Sequence, residues 1–68
     1  MNVEELVMEL WKEQILRGIC SKKEINSDGI ALWIANRTYP MSILEDACKG
    51  DSYALAIVRQ EAGLPPIA

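Results

Sequence analysis

The first segment of the chain, residues 2–18, carries an apolar pattern that a helix places on one side. At about 100° per residue its apolar side chains cover roughly 220°, well beyond the stripe of an ordinary surface helix. Asn2 and Glu5 have the spacing of a capping box at the N-terminal end. We therefore predict a helix that needs more than one neighbour to cover it. The apolar side chains on the arc are Val3, Leu6, Val7, Met8, Leu10, Trp11, Ile15 and Ile19.

The second segment, residues 30–35, is apolar on every face. Asn26 or Ser27 in front of it can act as an N-cap, and Arg37 behind it suits a helix C-terminus. These signals favour a buried helix. Periodicity does not separate a helix from a strand in so short an apolar run, so the alternative is a small hairpin near residues 22–35.

A third helix is predicted over residues 41–49. Pro40 separates it from the preceding segment, and Ser42 and Glu45 repeat the capping-box spacing. Gly50 follows as a C-terminal stop. The segment is short, and its apolar positions suit one buried face.

A fourth helix is predicted over residues 53–62, with Asp51 or Ser52 as its N-cap. Gly63 suits the left-handed position that ends many helices, and the two prolines that follow prevent continuation. Residues 64–68 are therefore interpreted as a short C-terminal tail.

These segments predict one all-α domain over residues 1–68, a compact bundle of four short helices. A further helical turn over residues 22–25 would make five, and the hairpin alternative would make the fold α+β. The predicted core consists of Leu6, Val7, Leu10, Trp11, Ile30, Trp33, Ile34, Leu44, Leu55 and Val58.

A fold of 68 residues has few means of stabilisation. Its single core rarely contributes more than about 3–5 kcal/mol, and small folds often add a metal, a disulfide or a second subunit. Structural zinc needs about four Cys or His ligands, whereas the chain has two cysteines and no histidine. We expect no metal or other cofactor, and we expect Cys20 and Cys48 to be buried free thiols.

The start of the chain is acidic where a signal peptide would be basic and then apolar. The longest apolar run, residues 30–35, is far shorter than the ~20 residues that cross a bilayer. A cytoplasmic protein without a membrane segment is the expectation, and reduced cysteines agree with that compartment.

Catalysis is not indicated by any group of residues. Without histidine, imidazole-based triads are absent. Cys48 beside Lys49 is better explained as a side chain on the inner face of a helix. Glu45 and Asp46 are adjacent in a helix, so their carboxylates do not face each other. We expect no enzyme activity and no catalytic residue.

The strongest functional indication is the excess of apolar surface, since one small bundle does not cover all these faces at once. We therefore predict a non-enzymatic protein–protein interaction module, an adaptor or inhibitor that docks an apolar helix face on a partner of unknown identity. A homodimer is the expected assembly. Candidate interface residues are Trp11, Leu16, Ile19, Trp33, Tyr53 and Leu64.

The alternative function is a helix-turn-helix DNA-binding regulator built from residues 42–62. In that case Tyr53, Arg59 and Gln60 would contact DNA. The net charge of −3 and the single cation on the last helix disfavour it, because phosphate contacts supply much of the affinity for DNA. Asp51 at the start of that helix would also repel phosphate.

Overall fold

A computed structural model describes residues 1–21 and 24–67. This part of the chain contains four helices and no strand, which confirms the all-α prediction. The hairpin alternative is wrong, because the segment after residue 26 is helical. Of the predicted fifth turn, Lys22 and Lys23 lie outside the described residues, and residues 24–25 are not helical. The helices are α1 (Val3–Leu16), α2 (Ser27–Ala35), α3 (Met41–Cys48) and α4 (Ser52–Glu61).

The beginnings of three helices are set by local hydrogen bonds to side chains. At α1 the predicted capping box is confirmed: Glu5 N–H donates to Asn2 Oδ1 at 2.8 Å, and Asn2 N–H donates to Glu5 Oε1 at 3.2 Å. Asn26 caps α2, and Asp51 caps α4 through the Ala54 N–H. Each cap satisfies a backbone donor that has no partner within its helix.

The beginning of α3 differs from the prediction. Its N-cap is Pro40, which makes no side-chain hydrogen bond to the helix. Met41 and Ser42 are already the first and second helical residues, so the predicted capping box of Ser42 and Glu45 is wrong. The φ of −60° at Pro40 leads the chain into the helix without a side-chain cap.

The C-terminal end of α4 is a Schellman motif, as the glycine signal predicted. Gly63 has a φ of +74°, which side chains with a Cβ rarely adopt. Its N–H donates to the Gln60 carbonyl at 3.0 Å, and the Leu64 N–H donates to the Arg59 carbonyl at 2.9 Å. The same pattern ends α1 at Gly18 and α3 at Gly50.

The core lies where α1, α3 and α4 converge, and α2 packs mainly on α1. Three side chains are completely enclosed: Val7, Leu44 and Val58. Of the predicted core, Trp11, Trp33, Ile34 and Leu55 are only partly buried and pack against its surface, and the others are buried. The predicted core left out four buried apolar residues, namely Ala47, Ala54, Ala62 and Leu64, and the buried side chain of Arg59.

α2 is helical as predicted but is not a buried helix. Only Ile30 of this helix is buried, and Leu32 is 62% exposed. Because α2 covers α1 with one side, its other side remains in contact with solvent. This exposed side is the largest departure from the predicted packing.

Both cysteines are free thiols, but they are partly buried rather than buried. Desolvation raises the pKa of the Cys48 thiol; the N-terminal positive charge lowers it, and the negative charges of Glu45 and Glu5 raise it. A raised pKa keeps the thiol protonated and lowers its reactivity.

Candidate functional site: an apolar groove between α1 and α2

An open groove of about 800 Å³ lies between the C-terminal half of α1, the following residues and α2. Its apolar lining comes from Trp11, Ile19, Leu32 and Trp33. The structure therefore brings together three of the six predicted interface residues and adds Leu32. Glu24 is the only charged residue in the lining that the described part of the chain provides. Neutral polar side chains complete the lining, so the groove combines apolar with polar contacts: Gln14, Ser21, Asn26 and Asn36.

Trp11 lies close to α2 because residue 29 is glycine. A Cβ atom built on Gly29 would be 2.5 Å from Trp11 Cη2 and 2.9 Å from Trp11 Cζ3. Both distances are shorter than ordinary van der Waals contacts. Gly29 thus sets the separation of the two helices and, with it, the position of the Trp11 ring in the groove.

The Trp33 ring is held by hydrogen bonds that reach α4. Its indole Nε1–H donates to Gln14 Oε1 at 3.1 Å, and Gln14 Nε2 donates to the Ala62 carbonyl at 2.9 Å. The two bonds use both ends of the Gln14 amide. They connect α2 to the end of α4 through α1 and fix the side of the groove that Trp33 forms.

Substitution of Gly29 by alanine is expected to destabilise the fold by about 1–2 kcal/mol, since overpacking of this kind outweighs the gain in helix propensity. Thermal unfolding followed by circular dichroism measures the effect. The comparison variant is Ala31→Gly on the exposed side of α2, the reverse substitution, which measures the helix-propensity difference between the two residues, about 1 kcal/mol, without overpacking. A Gly29→Ala variant as stable as the natural protein would contradict the assigned contact with Trp11.

The other predicted interface residues lie elsewhere. Leu16 and Tyr53 are 85% and 74% exposed, and neither lines the groove. Leu64 is buried in the core, which corrects its assignment to the surface. Its position follows from the Schellman motif, because the turn at Gly63 folds the chain back over α4. Of the predicted C-terminal tail, Leu64 is therefore part of the packed fold.

Arg59 occupies a position that corrects its assignment as a DNA contact. Its side chain is buried, with 7% exposure. Nη1 and Nη2 donate to Glu13 Oε1 and Oε2, each at 2.7 Å, and Nε donates to the Pro65 carbonyl at 2.9 Å. Tyr53 and Gln60 are exposed on α4. Since Arg59 is the only cation of α4, the exposed face of this helix has none for phosphate.

Glu13 links α1 to α4 through its ion pair with Arg59. Besides the bidentate pair with Arg59, its Oε2 accepts a hydrogen bond from Arg17 Nε at 2.8 Å. The hydrogen bonds from Arg59 and then Arg17 lower the pKa of Glu13 from 4.5 to about 2. The Arg17 contact is an i,i+4 pair within one helix, a spacing that a sequence shows. The Arg59 contact spans 46 positions and has no local signal.

A second, smaller pocket of about 210 Å³ lies behind Trp33, among the ends of α2 and α4 and residues 36–39. Both Arg37 and Glu61 belong to its lining. Gln14 and Trp33 line this pocket as well as the groove and separate the two.

Within residues 1–21 and 24–67, no group of three or more cysteine, aspartate or glutamate side chains is placed to share a metal ion. No helix there is both long enough and apolar enough to cross a bilayer.

No protein-family model, curated protein or solved structure shows a significant match to this chain.

Proposed function

We propose that this protein is a small, non-enzymatic interaction module that docks the apolar groove between α1 and α2 on another protein chain. The observation that carries the proposal is the joint exposure of Trp11, Ile19, Leu32 and Trp33 along one open groove. Tryptophans in a partly enclosed apolar site are typical anchors of protein interfaces.

The partner that fits the groove best is a second copy of the chain. Leu32 projects beside the groove with 62% of its surface exposed, so one face carries both a protruding side chain and a cleft. A twofold dimer needs this kind of self-complementary face, because each patch meets its own copy. Among the described lining residues, Glu24 is the only charged one.

The molecule is large enough for such a dimer. A standard interface covers about 800 Å² per partner, which is roughly one sixth of the 4593 Å² surface of this chain. The Cα extents are 28 × 26 × 21 Å, so one broad face of the protein has an area of that order. A dimer through the groove would therefore use most of the face that α1 and α2 share.

In this proposal the dimer acts as an adaptor or inhibitor in the cytoplasm. The free thiols of Cys20 and Cys48 agree with a reducing compartment. A DNA-binding function receives less support, because α4 offers Tyr53 and Gln60 but no exposed cation.

Substitution of Leu32 by serine is expected to weaken the dimer at least about a hundredfold. Each exposed leucine buried in an interface contributes about 1.5–3 kcal/mol, and Leu32 enters a twofold interface twice. Sedimentation equilibrium measures the association against the monomer mass of 7.6 kDa. Both tryptophans of the chain line the groove, so their emission should shift to the blue as the protein concentration rises.

The matched control is Leu16→Ser, which removes the same side chain from an exposed position outside the groove. It should leave the dimer unchanged, and neither substitution should alter stability by more than about 0.5 kcal/mol. The proposal fails if the natural protein stays monomeric at high micromolar concentration with constant tryptophan emission. It also fails if the control weakens the dimer more than Leu32→Ser does.

A further inference from the structure

The small pocket behind Trp33 contains one side chain of each charge. Arg37 enters its lining from the residues after α2, and Glu61 enters from the last turn of α4. Among the ion pairs that the described residues form, none joins these two side chains. Arg37 and Glu61 therefore line the same pocket without forming a salt bridge with each other.

Each of the two charges is held in place by a neighbouring group. Arg37 Nη1 donates to the Ile34 carbonyl at 3.0 Å, and the Thr38 hydroxyl donates to Glu61 Oε2 at 2.7 Å. These bonds attach the guanidinium to the end of α2 and the carboxylate to the loop that follows. They keep the two charged groups on separate parts of the pocket wall.

One hydrogen-bond donor of the Arg37 guanidinium has no acceptor in the part of the chain that the structure describes. Its Nε is buried and has no hydrogen-bond partner among the described residues. Nε and Nη2 form one of the two edges through which an arginine binds a carboxylate with two parallel hydrogen bonds. A buried donor without an acceptor is costly, so Arg37 keeps unused hydrogen-bonding capacity beside the pocket.

The Tyr39 side chain lies near both charged groups, Arg37 and Glu61. Its side chain lines the same pocket, and burial raises the pKa of its phenol. The positive charge of Arg37 lowers that pKa, and the negative charge of Glu61 raises it. One hydroxyl therefore lies within electrostatic reach of both charged groups.

We propose that this pocket binds a small zwitterion, a free α-amino acid, with its carboxylate on Arg37 and its ammonium group on Glu61. The volume of about 210 Å³ holds roughly seven water molecules at ~30 Å³ each, which matches a small amino acid rather than a drug-sized ligand. The rings of Trp33 and Tyr39 provide apolar walls and faces that favour a nearby ammonium group.

The test is a titration followed by NMR, in which the two indole N–H signals report on different places. Trp33 lines the pocket, whereas Trp11 lines only the groove. L-serine, L-valine and L-glutamine are the probes, and at least one is expected to shift the Trp33 signal to saturation below about 20 mM while Trp11 stays constant. The N-acetyl derivative and the methyl ester of that amino acid each lack one charge and should bind at least about tenfold more weakly.

Substitutions then assign the two charges. Arg37→Gln and Glu61→Gln should each weaken binding at least about tenfold, whereas the matched changes Lys49→Gln and Glu45→Gln, outside the pocket, should not. If Arg37→Gln does not fold, Arg37→Lys replaces it, since lysine keeps the charge but loses the bidentate edge. The proposal is overturned if none of the three amino acids shifts Trp33, if acetate alone binds as well, or if both pocket variants bind normally.

Discussion

Replacing Leu44 by alanine is expected to leave the protein largely unfolded at 25 °C. Leu44 is completely enclosed, with 0% exposure. Truncation of a buried leucine costs about 2–5 kcal/mol, because apolar contact is lost and a cavity remains. A fold of this size has only about 3–5 kcal/mol in total, so the loss is comparable to the whole stability.

Urea denaturation monitored by circular dichroism gives the free energy of unfolding for Leu44→Ala. The control is Leu16→Ala, the same chemical change at a position of α1 that is 85% exposed and lies outside the groove, which should cost far less. The packing of α3 on α1 and α4 would be contradicted if the two variants had equal stability.

Removing Glu13 is expected to destabilise the protein more than removing its partner Arg59. In Glu13→Gln the arginine stays buried without its counter-charge, whereas in Arg59→Met the remaining carboxylate is partly exposed and keeps Arg17. An uncompensated buried charge is the costlier state. Melting temperatures of the two variants should therefore fall in the order natural protein, Arg59→Met, Glu13→Gln.

The same pair makes stability depend on pH. The pKa of Glu13 is about 2 in the folded protein against an ordinary value of 4.5, so folding favours the ionised form. The stabilisation is fully present above pH 4.5 and is lost as the pH falls toward 2. In Glu13→Gln this part of the acid destabilisation should be absent. If the two proteins lose stability in parallel over that range, the Arg59 contact does not contribute.

The helices were largely predictable from the sequence because their signals are local. Asn2, Asp51 and Gly63 act on backbone groups only a few residues away, and a single sequence contains that information. The error at α3 is also local in origin. Two capping signals compete there, and the backbone restriction of Pro40 determines where the helix begins.

The groove was predictable only in part, because it depends on contacts between segments that are distant in the chain. Trp11, Ile19 and Trp33 were identified from their residue types, but Leu32 was not. An apolar run without periodicity does not show which side is covered. The approach of α2 to Trp11 depends on Gly29, whose role is visible only when both helices are placed.

The ion pair of Arg59 with Glu13 is a second contact between distant segments that sequence patterns do not predict. Arg59 is the only cation of α4, which made it a reasonable candidate for an exposed contact. Its partner Glu13 lies 46 positions earlier, in another helix. No spacing rule connects the two residues, since the contact exists only once α1 and α4 pack.

The shallow anchoring of α2 has a consequence for local unfolding. This helix buries one residue and packs mainly on α1, whereas α3 and α4 pack extensively on each other. Cooperative units with few buried contacts open at lower free energy than the rest of a fold. The backbone amides of α2 should therefore exchange with solvent before those of α3 and α4, and any chain that covers the groove will stabilise the part of the molecule that opens most easily.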